Sequence, residues 1–154
     1  MLYLMAGNIG TGKTTTSKTL FGPNTFYVSE DSLCLLLNMN HYGKELWDLE
    51  HWSMYNKCKL DITRNALQLG YNIIVDGAHI NKQSRKPILY IAKQHNTKVE
   101  VFWHKDPNGL QHRLQDNRGE PDDLWKEVWT RFEKQQEDPS LDEGISIIHI
   151  KETI

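Results

Sequence analysis

The sequence predicts an α/β fold, a three-layer α/β/α arrangement around a five-stranded parallel sheet. Three observations predict it. Short apolar runs of strand length alternate with longer stretches of helical periodicity, the pattern of repeated strand–helix–strand units. The first apolar run ends in a Gly-rich turn that opens a helix, Gly7 to Thr14. Polar or acidic clusters follow the later apolar runs, where ligands bind at the carboxyl edge of a parallel sheet.

The elements follow in order. Leu2-Tyr3-Leu4-Met5-Ala6 reads as a buried strand. Gly7-Asn8-Ile9-Gly10-Thr11-Gly12-Lys13-Thr14 fits G-x-x-x-x-G-K-[ST], and Thr14 to Leu20 reads as the helix behind it. Strand, Gly-rich turn and helix in this order make the phosphate-binding P-loop. Glycines let the backbone curl so that several N–H groups face phosphate oxygens, and the helix N-terminus adds partial positive charge. The residues from Gly7 to Thr14, with Thr15 beside them, are therefore expected to hold a nucleotide. Lys13 reaches the β- and γ-phosphates, and the Thr14 hydroxyl ligates Mg²⁺.

Thr25 to Val28 is the second strand, after a Gly22-Pro23-Asn24 turn. It runs into Ser29-Glu30-Asp31-Ser32. Two readings stand side by side here: Ser29 or Asp31 caps the following helix, or Asp31 is catalytic. Asn38 to Gly43 is a polar loop, and Lys44 to Leu69 reads as one long helix or two. In it Met54, Cys58, Ile62, Ala66 and Leu69 form a stripe expected to be buried, closed by Gly70. Tyr42, Trp47, Trp52 and Tyr55 are read as core packing, with base stacking as the alternative.

Tyr71 to Val75 is the third strand, ending in Asp76-Gly77. A carboxylate there suits a second metal-site element beside Thr14, or a simple turn. Lys82 to His95 is a helix with Arg85 in its first turn. A cation there opposes the macrodipole, which points to an anionic partner. Lys98 to Trp103 is the fourth strand, and Asp106-Pro107 starts the next helix. Arg113 and Arg118 suit a lid that grips phosphate, or a solvated helix face. Pro121 to Gln136 is the last helix and Ile145 to Ile150 the fifth strand.

Composition bounds the function. The 154 residues suit one domain, 1–154, with a real core. A formal net charge of −2 gives no general pull on nucleic acid, so such a substrate needs a local basic site. No apolar run approaches membrane-spanning length, and no membrane partner is expected. The first apolar run leads straight into the P-loop and reads as a strand rather than a signal peptide. Cys34 and Cys58 lack metal spacing and suit a reducing, cytoplasmic compartment. The seven His show no zinc spacing.

With these residues in view, the chain resembles the P-loop polynucleotide 5′-hydroxyl kinases, kinase domain only, within a wider group that includes zeta-toxin-like and small P-loop kinases. The resemblance runs over nearly the whole chain. It rests on Gly7 to Thr14, on Ser29-Glu30-Asp31, on Asp76 with Arg85, on Asn117-Arg118 and on the segment from Phe132 to Ile145. It implies an adenylate-kinase-like fold with a short lid. ATP or another NTP is the implied donor, with Mg²⁺. Asp31 is the implied base toward the attacking hydroxyl, Asp76 and Arg85 lie on the substrate side, and Arg118 touches the ATP phosphates with Arg113 near it. The implied catalytic set is Lys13, Asp31 and Arg118. Where the family often has Thr-Asn after the acidic residue of strand three, this chain has Ala78-His79. The implied acceptor is a DNA or RNA 5′ end. The alternatives are a kinase for a nucleoside, nucleotide or sugar, and a non-enzymatic nucleotide-binding switch.

Overall fold

The computed structural model describes residues 1–37, 49–116 and 120–151. In chain order the described elements are β1 (Leu2–Gly7), α1 (Lys13–Thr19), β2 (Thr25–Ser29), α2 (Glu30–Leu36), α3 (Leu49–Gln68), β3 (Asn72–Asp76) and α4 (Lys82–Gln94). They continue with β4 (Val99–Lys105), α5 (Gly109–Gln115), α6 (Asp122–Gln135), a 3₁₀ turn (Leu141–Glu143) and β5 (Ser146–Lys151). The expected α/β fold is present. The five strands form one sheet in the order β2-β3-β1-β4-β5, and all neighbours are parallel. Parallel pairing puts every carboxyl end on one edge. The register sets Ser29 beside Asp76 and Gly7 beside His104 there.

Strand alternation divides the core between two faces. Leu2, Leu4 and Ala6 of β1 join Ile73, Val75, Val101 and Trp103 on the larger face, under Leu33 of α2, Tyr55 and Ala66 of α3, and Ile88 and Ile91 of α4. Met5, Ile74 and Phe102 form the smaller cluster on the other face, where Leu20, just past α1, packs. The central strand β1 therefore enters the P-loop from a backbone buried on both sides.

Some local expectations differ from what is observed. The stripe on α3 is observed in part: Ala66 is buried, and Cys58 and Ile62 pack against the core. Met54 and Leu69 are exposed, while Tyr55, Thr63, Ala66 and Leu67 are buried. Thr63 can sit inside because its hydroxyl donates to the Lys59 carbonyl at 2.9 Å. Helix α5 begins at Gly109 rather than at Asp106. The Asp106 carboxylate accepts from the Asn108 N–H at 2.8 Å and makes a turn ahead of the helix. The loop expected at 38–43, the residues 44–48, Tyr42 and Trp47 lie outside the described residues. Among the described residues no helix is long and apolar enough to cross a membrane. Cys34 and Cys58 are both free thiols.

Candidate active site

The P-loop side of the sheet edge is built from close backbone approach. Gly7 has φ +140°, and a Cβ there would lie 2.5 Å from the His104 carbonyl oxygen. Gly10 has φ +67°, and its Cβ would lie 1.9 Å from the Gly109 carbonyl oxygen. Only glycine fits either place. Gly12, at φ +85° and at the N-cap of α1, is different: nothing lies within 4 Å of its missing side chain. That open space above a helix N-terminus is the cradle a phosphate needs.

Side chains stiffen the loop from behind. Asn8 is buried, and its amide donates to the Trp129 carbonyl at 3.1 Å and to Glu133 at 2.8 Å. Its Oδ1 accepts from the Ile9 N–H at 2.7 Å. The Thr11 hydroxyl donates to the Asn8 carbonyl at 2.8 Å. Behind α1, His104 lies with Nδ1 against the carbonyls of Phe102 (3.0 Å) and Ala6 (3.3 Å), so Nδ1 carries the proton and Nε2 accepts from the Thr16 hydroxyl at 2.8 Å. Thr15 is exposed on α1.

Lys13 bends back to donate to the Asn8 carbonyl. Desolvation pushes its ammonium down to about 8, against the opposing pull of the Asp76, Glu30 and Asp31 carboxylates. Beside it the Thr14 hydroxyl donates to Asp76 Oδ2 at 3.0 Å, and the Tyr27 hydroxyl donates to the same oxygen at 2.8 Å. Asp76 is buried. Burial and the Asp76 charge push the Tyr27 phenol up to about 12, so it stays a donor. A hydroxyl and a carboxylate 3.0 Å apart are hard oxygen donors, and this pair fits Mg²⁺, which takes few protein ligands and keeps several waters. No cluster of three or more His, Cys, Asp or Glu that could hold a metal occurs among the described residues.

The other side of the edge is built by side chains. Ser29 is the N-cap of α2, with its hydroxyl accepting from the Ser32 N–H at 3.0 Å. Ser29 therefore takes the capping part of the two readings. Asp31 stands exposed in the first turn, and its charge is felt at Lys13. Glu30 turns inward: a Cβ on Gly77 would lie 2.7 Å from Glu30 Oε1 and 2.9 Å from His79 Cε1. Tyr55, buried under α2, has its phenol pushed up by burial and by the charge of Glu30.

Arg85 does not face this edge. It is fully buried, with Nε donating to Glu143 Oε1 at 2.9 Å, Nη2 to Glu143 Oε2 at 3.2 Å and Nη1 to the His79 carbonyl at 3.0 Å. The anion that answers its charge is Glu143, inside the chain; the expected external anion is corrected on this point. Arg113 is mostly buried, stacks its guanidinium 5.0 Å from the Trp125 ring centroid, and its charge is felt at Lys13. Asn117 and Arg118 lie outside the described residues. Sequence reasoning missed Tyr27 and Glu133 and passed over Glu30 and His79. Tyr27 had a signal, since it sits one strand over and two residues before Ser29, on the edge nearest Asp76.

Residues 2–139 match the family model AAA_33, described as an AAA domain. No curated protein matches the chain in sequence. Solved structures with the same fold include a sugar kinase from Janibacter sp. HTCC2649, at 13% identity and TM-score 0.62, over 97% of this chain and 84% of that one. A chain of the Pnkp1/Rnl/Hen1 RNA repair complex aligns at 15% identity and TM-score 0.68, over 87% of this chain and 44% of that one. Kti12 of Chaetomium thermophilum, solved with ADP-AlF3, aligns at 15% identity and TM-score 0.63, over 97% and 89%. The architecture is that of P-loop kinases.

Proposed function

The chain belongs to the AAA domain family, and from that premise we propose that it is a kinase moving the γ-phosphoryl of ATP to a hydroxyl. One observation carries the reading: Lys13, Thr14 and Asp76 meet at the mouth of the P-loop, with the carboxylates of Glu30 and Asp31 close enough to act on the lysine charge. In the proposed reaction the acceptor oxygen bonds to the γ-phosphorus as the bond to the β,γ-bridging oxygen breaks, and ADP leaves. Asp31 takes the hydroxyl proton. Lys13, Arg113 and Arg118 balance charge on the transferred group. Mg²⁺, held by Thr14 and Asp76, supplies further neutralisation of the phosphate oxygens when bound.

The acceptor put forward is the 5′-hydroxyl of a DNA or RNA end. It rests on the sequence resemblance, and the likeness to a chain of an RNA repair complex supports it. A second reading, a small hydroxyl compound such as a nucleoside, nucleotide or sugar, is favoured by Arg85. The cation best placed in sequence to meet downstream phosphates is spent on Glu143. Labelled ATP offered with 5′-hydroxyl oligonucleotides, nucleosides, nucleotides and sugars tests both. Label on oligonucleotides, with activity falling only shallowly as salt rises, supports the first. Equal activity on a free nucleoside supports the second, and ADP formation indifferent to every acceptor sinks the kinase. Free Cys34 and Cys58 suit a reducing compartment, and the cytoplasm is the proposed location.

A further inference from the structure

His79 has three properties that a packing residue does not need. Its φ is +37°, in the left-handed region that a non-glycine residue rarely occupies. Its ring is buried, and Nε2 has no hydrogen-bond partner among the described residues. Both ends of the residue are nonetheless tied. Nδ1 lies 2.7 Å from the Met5 carbonyl, and the His79 carbonyl accepts from Arg85 Nη1 at 3.0 Å. Strained residues held by surrounding bonds cluster at binding sites.

The chemistry of the free nitrogen follows from the bound one. A carbonyl only accepts, so Nδ1 carries the proton and Nε2 offers a lone pair. Burial pushes the imidazole down to about 4, with Lys59 adding to the shift, so the ring is neutral near pH 7. The Cε1 edge, next to Nε2, faces Gly77 beside the Glu30 carboxylate. Residue 77 must be small here, since any Cβ would strike both groups. A neutral lone pair and a carboxylate side by side attract hydrogen-bond donors and repel phosphate. Lys59 and Glu30 are side chains whose charges act on the ring.

We propose that His79 is a specificity-determining residue on the acceptor side, where Nε2 accepts a hydrogen bond from a hydroxyl or amino group of the acceptor other than the one phosphorylated. The inference rests on the kinase reading for the reaction but makes a separate claim about binding. It places a neutral, donor-bearing part of the acceptor, a sugar ring or a base, against the end of β3, and leaves phosphates to other contacts.

His79→Asn is the informative change. Asn tolerates a positive φ, and its amide N–H can replace Nδ1 toward Met5, but it has no atom at Nε2. With the best acceptor of the labelled-ATP panel, KM should rise roughly tenfold and kcat stay within about threefold, the loss of one neutral hydrogen bond. The variant should also lose the wild type's preference within a matched pair such as ribose and 2-deoxyribose, or RNA and DNA trinucleotides bearing a 5′-hydroxyl. Unchanged KM and unchanged preference overturn the inference. A binding readout separates it from the kinase reading. In ¹⁵N-histidine-labelled protein with a non-hydrolysable ATP analogue, the Nε2 resonance should shift when ribose or the trinucleotide is added. A shift in a chain that transfers no phosphate refutes the kinase and keeps the inference. No shift with any probe, with or without transfer, overturns it.

Discussion

The two sides of the sheet edge are built differently. The P-loop side, the proposed donor side, is backbone: glycines packed on the His104 and Gly109 carbonyls, and an open cradle at Gly12. The proposed acceptor side is side chains from α2, α3 and the end of β3: Glu30, Asp31, Tyr55 and His79. Phosphate is the same in every nucleotide, so eight consecutive residues can be shaped to it. Acceptors differ, and side chains can be exchanged without disturbing a backbone. Changes on the donor side should therefore abolish chemistry, and changes on the acceptor side should mostly redirect or grade it.

The largest expected effect is on the donor side. Lys13→Ala should lower phosphoryl transfer by about a thousandfold, since the lysine acts on charge that develops at the phosphate. Its ammonium bonds the Asn8 carbonyl within the P-loop, so the melting temperature should change little. Wild-type-like turnover from the folded variant would remove the P-loop from the chemistry.

Next is the pair Asp31 and Glu30, where the comparison is sharpest. Ser29 caps α2, so Asp31→Asn leaves helix capping intact. We expect the transfer rate to fall roughly a hundredfold or more, with ATP affinity and thermal stability kept. Glu30→Gln should instead raise KM for the acceptor with a smaller change in kcat, because the Glu30 carboxylate lies against Gly77 and His79, whereas Asp31 is exposed. If the large rate loss follows Glu30→Gln and spares Asp31→Asn, the two carboxylates exchange roles.

A third expectation concerns pH and the donor side alone. The Lys13 ammonium of the free chain is lowered to about 8 by burial. Bound phosphates favour the charged form, so nucleotide binding above that pH requires proton uptake. ATP affinity measured by calorimetry without acceptor should be level below pH 8 and fall by roughly tenfold per unit above it. Lys13→Arg keeps its charge through this range and should give a flat profile. A flat profile in the wild type would mean that the lysine is not desolvated in solution.

How much of this was legible follows from range. The P-loop is local, and its strand, glycines and helix all stand in the first twenty residues of the sequence. The Thr14–Asp76 pair spans 62 residues, yet it could be anticipated, since Asp76 ends β3 and Thr14 opens the helix after the P-loop, on one parallel edge. Arg85 could not be placed. Charge pattern near a helix start asks for an anion, but cannot tell a ligand from Glu143, 58 positions away. On α3 the positions of Cys58, Ile62 and Ala66 were legible, but not the burial of Thr63, which is polar in sequence and satisfied by its own helix. His79 was visible only as an unusual neighbour of Asp76. Its positive φ and unpartnered nitrogen belong to the fold.

The smallest effect tests how far the backbone side depends on a single side chain from β2. Tyr27 and Thr14 both donate to Asp76 Oδ2, at 2.8 and 3.0 Å. Removing the phenol oxygen leaves Asp76 one donor poorer, while the ring still packs edge-on against Phe21, 5.1 Å away between centroids. Tyr27 is half-buried, so water can replace part of the lost bond and the cost falls below that of a fully desolvated bond to a charge. Tyr27→Phe should therefore lower kcat by no more than about fivefold and raise the Mg²⁺ needed for half-maximal rate by about the same factor. The phenol is held up near 12, so the effect should be constant across the neutral range, unlike that of Lys13. A Tyr27→Phe chain with an unchanged Mg²⁺ requirement would show that Thr14 alone orients Asp76. The donor side would then be complete without β2.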